Sequence, residues 1–192
     1  FREALQAIPR ELIADVALEL PDRYFEDIVE SFTTKEIADS VARVLTERQF
    51  NVDVKPVNRI QSVDEYSAFV LGSPIHAGMW LTDLAQFMGR FRDTLITKPV
   101  FVFITCIRVL EDGGYQHVLK HYVDREVLED LRVRELAAFA GKLDMTEVAW
   151  EERWTLAARF DGTKPPPTYD GDFRDWARIN AWAATIADRL LP

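Results

Sequence analysis

Short apolar runs alternate with amphipathic segments from Thr34 onward, and this alternation constrains the fold more than any other feature of the sequence. The runs are AFVLGS at 68–73, PVFVFIT at 99–105 and RELAAFA at 134–140. Each is short and apolar throughout, which is typical of a strand buried on both faces of a parallel sheet. A further strand is predicted over 51–57, and amphipathic helices over 34–48, 80–91, 115–131 and 173–191. The order predicts an α/β fold with a doubly wound parallel sheet in three α/β/α layers.

Composition excludes several classes of function. Among 192 residues, 32 Asp and Glu against 23 Lys and Arg give a net charge of −9, which repels phosphate backbones and predicts no nucleic-acid partner. Cys106 is the single cysteine, so an internal disulfide framework and a multi-cysteine zinc site are excluded. With only three histidines, at 76, 117 and 121, no histidine-rich metal cluster is expected.

The sequence also predicts where the protein works. No run approaches the ~18 apolar residues of a spanning helix, and the N-terminus does not resemble a secretory signal. We therefore expect a soluble cytoplasmic protein, with peripheral membrane contact left open.

The N-terminal part is predicted to stand apart from the rest. Residues 1–23 are expected to form a helical appendage, and residues 24–192 the α/β domain. The apolar side chains of the appendage fall at helical spacing, at Leu12, Ile13, Val16, Ala17 and Leu20. The Thr-x-x-Glu pattern at 33–36 is typical of a capping box that starts the next helix.

Ligands of doubly wound sheets bind beyond the carboxyl ends of the strands. The loops predicted to matter are therefore Ser73–Trp80, Thr105–Tyr115 and Gly141–Thr146. At these loops the sequence resembles a known family, through GSPIHAG at 72–78, ITCIRVLEDGGY at 104–115, AAFAGKLD at 137–144, WEERW at 150–154 and GDFRDWARINAWA at 171–183. Together with TKEIADSVARVL from 34, these segments resemble flavodoxin-domain proteins, in particular the menaquinone-dependent protoporphyrinogen oxidases and their relatives. The resemblance covers roughly 34–190.

The resemblance implies a flavodoxin-like, five-stranded sheet of order 2-1-3-4-5 and one non-covalent FMN that carries the redox chemistry. No side chain is then required as a catalytic nucleophile or base. The FMN phosphate is expected at Ser31, Thr33 and Thr34, although these residues equally suit a simple capping box. The ring is expected between two loops, with these residues: Ser73, Pro74, Ile75, His76, Ala77, Gly78, Trp80, Thr105, Cys106 and Ile107. Cys106 is interpreted as a packing residue rather than a nucleophile.

The sequence departs from the family pattern where its first strand and phosphate loop belong. No glycine precedes Gly72, and the candidate loop at 29–34 is about two residues short by comparison with the family. The central strand has only Tyr24–Phe32 to come from, and YFEDIVESF is acidic for such a position. Two hypotheses remain: an FMN-dependent oxidoreductase or electron carrier, and a flavin-free flavodoxin-fold module for binding or assembly.

The oxidase branch implies a tetrapyrrole substrate and a quinone or other redox partner, and a homodimer is compatible with it. Arg108 is the predicted partner of a substrate carboxylate, with a solvated surface charge as the alternative. Trp154 is predicted to line the substrate wall. It belongs to an aromatic stripe that also suits core packing or a membrane-interface helix, formed by Trp150, Trp154, Leu156 and Phe160. The Gly171–Trp176 motif is interpreted as structural, with Asp172 capping the last helix.

Overall fold

Three parallel strands form the centre of the molecule, as the apolar runs predict. The computed structural model describes residues 22–76, 78–143 and 171–191. Its main sheet contains β1 (Phe69–His76), β2 (Met79–Trp80), β3 (Val100–Thr105) and β4 (Glu135–Phe139), in the order β2-β1-β3-β4. β1, β3 and β4 are parallel, whereas the two-residue β2 turns back antiparallel on the end of β1.

Helices cover both faces of this sheet. They are α1 (Asp22–Glu47), α2 (Thr82–Arg90), α3 (Arg92–Leu95), α4 (Gly114–His121), α5 (Arg125–Asp130) and α6 (Trp176–Leu190). Short 3-10 helices lie at Val57–Arg59 and Ile107–Leu110, and a two-stranded ribbon joins β5 (Lys142–Leu143) to β6 (Gly171–Asp172). The α/β class and the mostly parallel sheet are therefore confirmed.

Successive side chains of each strand point to opposite faces of the sheet, and this divides the core into two layers. Phe101 and Phe103 of β3 pack with α1 and α6, whereas Val100, Val102 and Ile104 pack on the other side with α2 and α4. All six residues of β3 are buried, which fits a strand flanked on both edges and covered on both faces.

The prediction of a central strand within residues 24–32 is wrong. Residues 24–32 do not form a strand, because α1 runs without a break from Asp22 to Glu47. A helix satisfies its own backbone hydrogen bonds locally, whereas a strand needs a paired neighbour. The acidic segment YFEDIVESF is therefore part of the helix. The Thr33–Glu36 pattern accordingly lies inside a helix instead of starting one.

The predicted strand at 51–57 is also not observed. Residues 51–56 have no regular structure and Val57–Arg59 form a 3-10 turn. Its expected neighbour was the strand at 24–32, and an extended segment without a ladder partner gains nothing from pairing. The main sheet in the described part therefore has four strands, not five.

Capping side chains explain two further differences. The helix predicted over 115–131 is divided between α4 and α5, because Asp124 begins a new helix by accepting a hydrogen bond from the Val127 amide at 3.1 Å. The last helix is capped by Asp175, which accepts from the Arg178 amide at 2.9 Å, and not by Asp172.

Several expectations fall on residues that the structure does not describe. The appendage predicted over 1–23 lies outside the described residues except for its last two positions, and so does the aromatic stripe at 150–160. Within the described ranges, no helix is long and apolar enough to cross a membrane.

Candidate functional site

The carboxyl ends of the three parallel strands lie at one edge of the sheet. β1 ends at His76, β3 at Thr105 and β4 at Phe139, and the strand register places Pro74 opposite Thr105 and Thr105 opposite Phe139. The loops that follow β1 and β3 therefore begin side by side. This neighbourhood follows from the parallel order of the strands, which the sequence predicted correctly.

Ser73 fixes the loop after β1. Its side chain is buried, and its hydroxyl donates to the Pro74 carbonyl at 2.8 Å while accepting from the Leu81 amide at 3.0 Å. The turn is completed by the pairing of Ile75 with Trp80 and by Gly78 at φ +84°, a conformation that L-amino acids rarely adopt. The loop is thus held closed on itself by a hydroxyl that sequence reasoning had placed against the ligand.

The loop after β3 begins with Cys106, whose amide donates to the Phe139 carbonyl at 2.9 Å. The turn at Ile107–Leu110 follows. Arg108 Nη1 donates to the Tyr122 hydroxyl at 3.1 Å, and Arg108 Nε lies 3.4 Å from Glu111 Oε2. Arg108 is therefore held by a carboxylate of its own loop and by a phenol that follows α4.

Tyr122 connects the two loops. A Cβ atom on Gly78 would lie 3.7 Å from Tyr122 Cε1, so the tyrosine ring is beside the first loop while its hydroxyl holds Arg108 of the second. Trp80, Cys106 and Tyr122 all pack against the same core layer. No sequence pattern identifies Tyr122, because its role depends on the ending of α4 at His121.

The side expected to receive a phosphate is occupied by protein contacts. Thr33 and Thr34 are buried, and Thr34 Oγ1 lies 2.9 Å from Thr105 Oγ1. A Cβ on Gly141 would lie 2.9 Å from Thr33 Cγ2, so the start of the loop after β4 packs directly on Thr33. Because α1 begins twelve residues before Thr34, the amides of this turn lie in the helix interior.

These observations test how well the residues fit FMN. The two loops after β1 and β3 suit a flat ring, since both lie at the correct edge and are connected through Tyr122. The residues at 33–34 do not fit a phosphate group, because their hydroxyls are buried against Thr105 and Gly141 and a helix interior offers no free amides. Among the described residues, the candidate site therefore has two loops that suit a flat ring (the ring side), while Thr33 and Thr34, where a phosphate was expected (the phosphate side), offer no free group for one.

A charged cluster pins the last segment to α1 near the same edge. Arg174, whose side chain is 9% exposed, binds Glu36 and also donates to Asp172 Oδ1 at 2.7 Å and Oδ2 at 2.5 Å. The hydrogen bond from the Arg174 side chain lowers the pKa of Asp172 below its usual range. This supports a structural role for the Gly171–Trp176 motif.

Three predicted site residues remain without a described environment: the side chain of Ser31, Ala77 and Trp154. His76, Trp80, Cys106 and Ile107 are partly exposed at the strand ends. In the described ranges no group of His, Cys, Asp and Glu side chains is arranged to hold a metal ion.

The family model of the flavodoxin domain matches residues 33–170, more than half of the chain. The chain therefore belongs to the flavodoxin-domain family. No curated protein matches it significantly in sequence. Among solved structures, rubredoxin oxygen:oxidoreductase from the anaerobe Desulfovibrio gigas matches with 15% identity and a TM-score of 0.49, over 82% of this chain and 33% of that one.

Proposed function

We propose that this chain is a flavin-binding redox protein, with FMN as the flavin and its ring held between the loop after β1 and the loop after β3. The observation that carries the proposal is the connection of these two loops through Tyr122, within a region that the flavodoxin-domain match covers completely. When bound, FMN supplies the electron transfer, so the side chains need only bind and orient the ring.

Each loop has a distinct part in holding the ring. Ser73 keeps the first loop closed through its two hydrogen bonds, and His76 and Trp80 lie partly exposed at the strand end. Gly78 permits a close backbone approach that a side chain would obstruct. Cys106 and Ile107 provide the opposite edge, with Cys106 tied to β4 through its amide.

A second function is favoured by the packing of Thr33 and Thr34, the residues that were expected to bind the FMN phosphate. Burial of Thr33 and Thr34, together with the continuity of α1, matches a flavodoxin-fold module that binds no flavin and serves as a binding or assembly partner. The two functions differ in one measurable property, which is the affinity of the purified chain for flavins.

A narrower form of the first function is an oxidase for a tetrapyrrole with a quinone as acceptor. Its candidate substrate contact is Arg108, because a guanidinium binds a propionate with two parallel hydrogen bonds. To do so, Arg108 would exchange its contacts with Glu111 and Tyr122 for the substrate carboxylate. In FMN-loaded protein, Arg108→Ala and Trp154→Ala should each lower protoporphyrinogen turnover with a quinone while leaving FMN affinity nearly unchanged. Absence of such turnover in the unaltered protein contradicts the oxidase form alone.

The flavin proposal is tested with a pair of glycine variants. Fluorescence quenching of FMN should show micromolar binding to the unaltered chain. Gly78→Ala should weaken it roughly tenfold, the equivalent of about 1.4 kcal/mol, because alanine is strained at φ +84°. Gly89→Ala is the control, since Gly89 lies exposed in α2 and an added Cβ would touch nothing within 4 Å. Equal FMN affinity in both variants would place the ring elsewhere.

A further inference from the structure

Arg178 lies at the carboxyl edge of the sheet, with its guanidinium against two aromatic rings. It belongs to the first turn of α6, where its amide donates to the Asp175 side chain at 2.9 Å. Its Cζ atom lies 4.5 Å from the centre of the Tyr115 ring, in α4, and 5.8 Å from that of Phe139, the last residue of β4. The side chain therefore reaches from α6 across the end of β4 to α4.

The aromatic contacts hold the guanidinium of Arg178 in place but leave its hydrogen-bond donors unused. A cation over a ring is attracted by the negative face of that ring, whereas the five N–H donors of arginine lie in the plane of the guanidinium. Among the described residues, the Arg178 guanidinium forms neither a hydrogen bond nor an ion pair, and the residue is exposed. These donors are therefore open to a ligand from solvent.

Two other arginines near this edge are already paired with carboxylates. Arg108 Nε lies 3.4 Å from Glu111 Oε2, and Arg174 binds Glu36. Of these three arginines, Arg178 can bind an anion without first breaking an ion pair. Because the chain has a net charge of −9, an anion needs such a local cation in order to bind.

The loop after β3 adjoins Arg178 and provides apolar surface. Its turn at Ile107–Leu110 packs against α4 and β4, the two elements whose rings contact Arg178. The first amide of the loop donates to the Phe139 carbonyl at 2.9 Å. Within the turn, Ile107 is partly exposed and Leu110 is 43% exposed. A ligand held by Arg178 would thus find apolar surface beside its charged group.

We propose that Arg178 binds the carboxylate of an aromatic acid whose rings lie against the loop after β3. A guanidinium donates two parallel hydrogen bonds to a carboxylate. The contacts with Tyr115 and Phe139 restrict the side chain beforehand, which lowers the entropy lost on binding. The position beside a loop of the ring side suits a substrate or an electron acceptor. That role rests on the proposed function, whereas binding of the acid itself needs no flavin.

Titration of the full chain with 2-naphthoate, without added flavin, tests the proposal, and 2-naphthamide is the neutral analogue of the same shape. The proton resonances of the ligand give the affinity, and the Nε–Hε resonance of Arg178 gives the location. We expect 2-naphthoate to shift this resonance and to bind at least about fivefold more tightly than 2-naphthamide. Equal affinities, or an unshifted Arg178 resonance, would overturn the proposal. Titration with FMN tests the proposed function separately.

Three variants distinguish a specific contact from general charge attraction. Arg178→Gln should abolish the preference for 2-naphthoate. Arg90→Gln is the matched control and should keep it, because Arg90 is also exposed, with its Cζ 4.8 Å from the centre of the Phe91 ring, but lies at the far end of α2. Arg178→Lys keeps the charge without the paired donors and should lose most of the preference. A preference retained in Arg178→Gln or Arg178→Lys, or lost equally in Arg90→Gln, would overturn the proposal.

Discussion

At the scale of single residues, Gly72 and Phe103 fit together in a way that permits no side chain. A Cβ on Gly72 would lie 2.2 Å from Phe103 Cζ, because the phenyl ring covers the glycine. Gly72→Ala should therefore force the buried ring to move and destabilise the fold by about 1–3 kcal/mol. The midpoint of urea unfolding measures this, with Gly89→Ala as the variant expected to lose nothing. Equal midpoints for the two variants would contradict the packing.

Thr34 and Thr105 form the next test, because their hydroxyls are each other's buried partners. Thr34→Val or Thr105→Val keeps the shape but leaves one hydroxyl unsatisfied, which should cost about 1–3 kcal/mol. The double variant should cost clearly less than the sum of the two, since neither hydroxyl is then left alone. A double-mutant cycle by urea unfolding measures the coupling, and additive effects would show that the hydroxyls do not meet.

The Tyr122 side chain makes two contacts that can be tested separately, one through its hydroxyl and one through its ring. Tyr122→Phe removes the hydrogen bond to Arg108 but keeps the ring beside Gly78, whereas Tyr122→Ala removes both. We expect FMN affinity to fall about tenfold or more with alanine, or at least 1.4 kcal/mol, and less with phenylalanine. Fluorescence titration of both variants gives the comparison. An alanine variant with unchanged affinity would show that the two loops position the flavin without Tyr122.

At the scale of elements, the segment before α6 is attached to α1 by charge. The pKa of Asp172 is lowered by its hydrogen bonds from Arg174, so its folded-state pKa lies below its unfolded value near 3.9. Its contribution is therefore complete above about pH 4 and is lost as pH falls through the folded-state pKa. The pKa of Asp130 is lowered in the same way by Arg92.

Acid unfolding provides the measurement. Asp172→Asn should lower stability at pH 7 and flatten the decline of the unfolding free energy below about pH 4. Arg174→Leu should have the larger effect at pH 7, because it leaves both Asp172 and Glu36 without their common partner. An Asp172→Asn curve parallel to that of the unaltered protein over pH 2–7 would contradict the account.

Elements with strong local patterns were predictable from the sequence, and those that depend on a neighbour were not. The runs at 68–73, 99–105 and 134–140 became strands because apolar residues in so short a run gain most by burial on both faces. The strand predicted over 51–57 is not observed, although its alternating pattern suits a strand, because the neighbouring strand expected at 24–32 is a helix. The division of the helix at 122–124 rests on the Asp124 side chain, which also suits a helix surface.

In the candidate site, too, the features set by local patterns were predictable and those set by tertiary contacts were not. The parallel order predicted that the loops at the strand ends lie together, and the family resemblance implied the flavin. The sequence did not reveal that Thr33 and Thr34 would be enclosed, because this depends on α1 extending upstream and on Gly141 packing against Thr33. Nor did it reveal Tyr122, whose two contacts come from loops that are distant in sequence.

At the scale of the whole molecule, the described residues combine a flavodoxin-domain core with a continuous helix, α1, where the first strand and the phosphate loop were expected. The two core layers, the three parallel strands and the loops after β1 and β3 are in place. In the described part of the chain, β1 has no parallel neighbour on its edge away from β3, and Thr33 and Thr34 are buried instead of open to a phosphate. Both places adjoin α1. The proposed flavin binding therefore rests on the ring side alone.

Parallel titration of the full chain with FMN and with riboflavin, which lacks the phosphate, tests this claim most directly. We predict micromolar quenching of both flavins, with FMN bound no more than about fivefold more tightly, less than about 1 kcal/mol, because no free amide or hydroxyl at 33–34 meets the phosphate. Binding of neither flavin would contradict the flavin-binding function and leave the binding or assembly module. Binding of FMN more than about 100-fold more tightly than riboflavin would contradict the absence of a phosphate side.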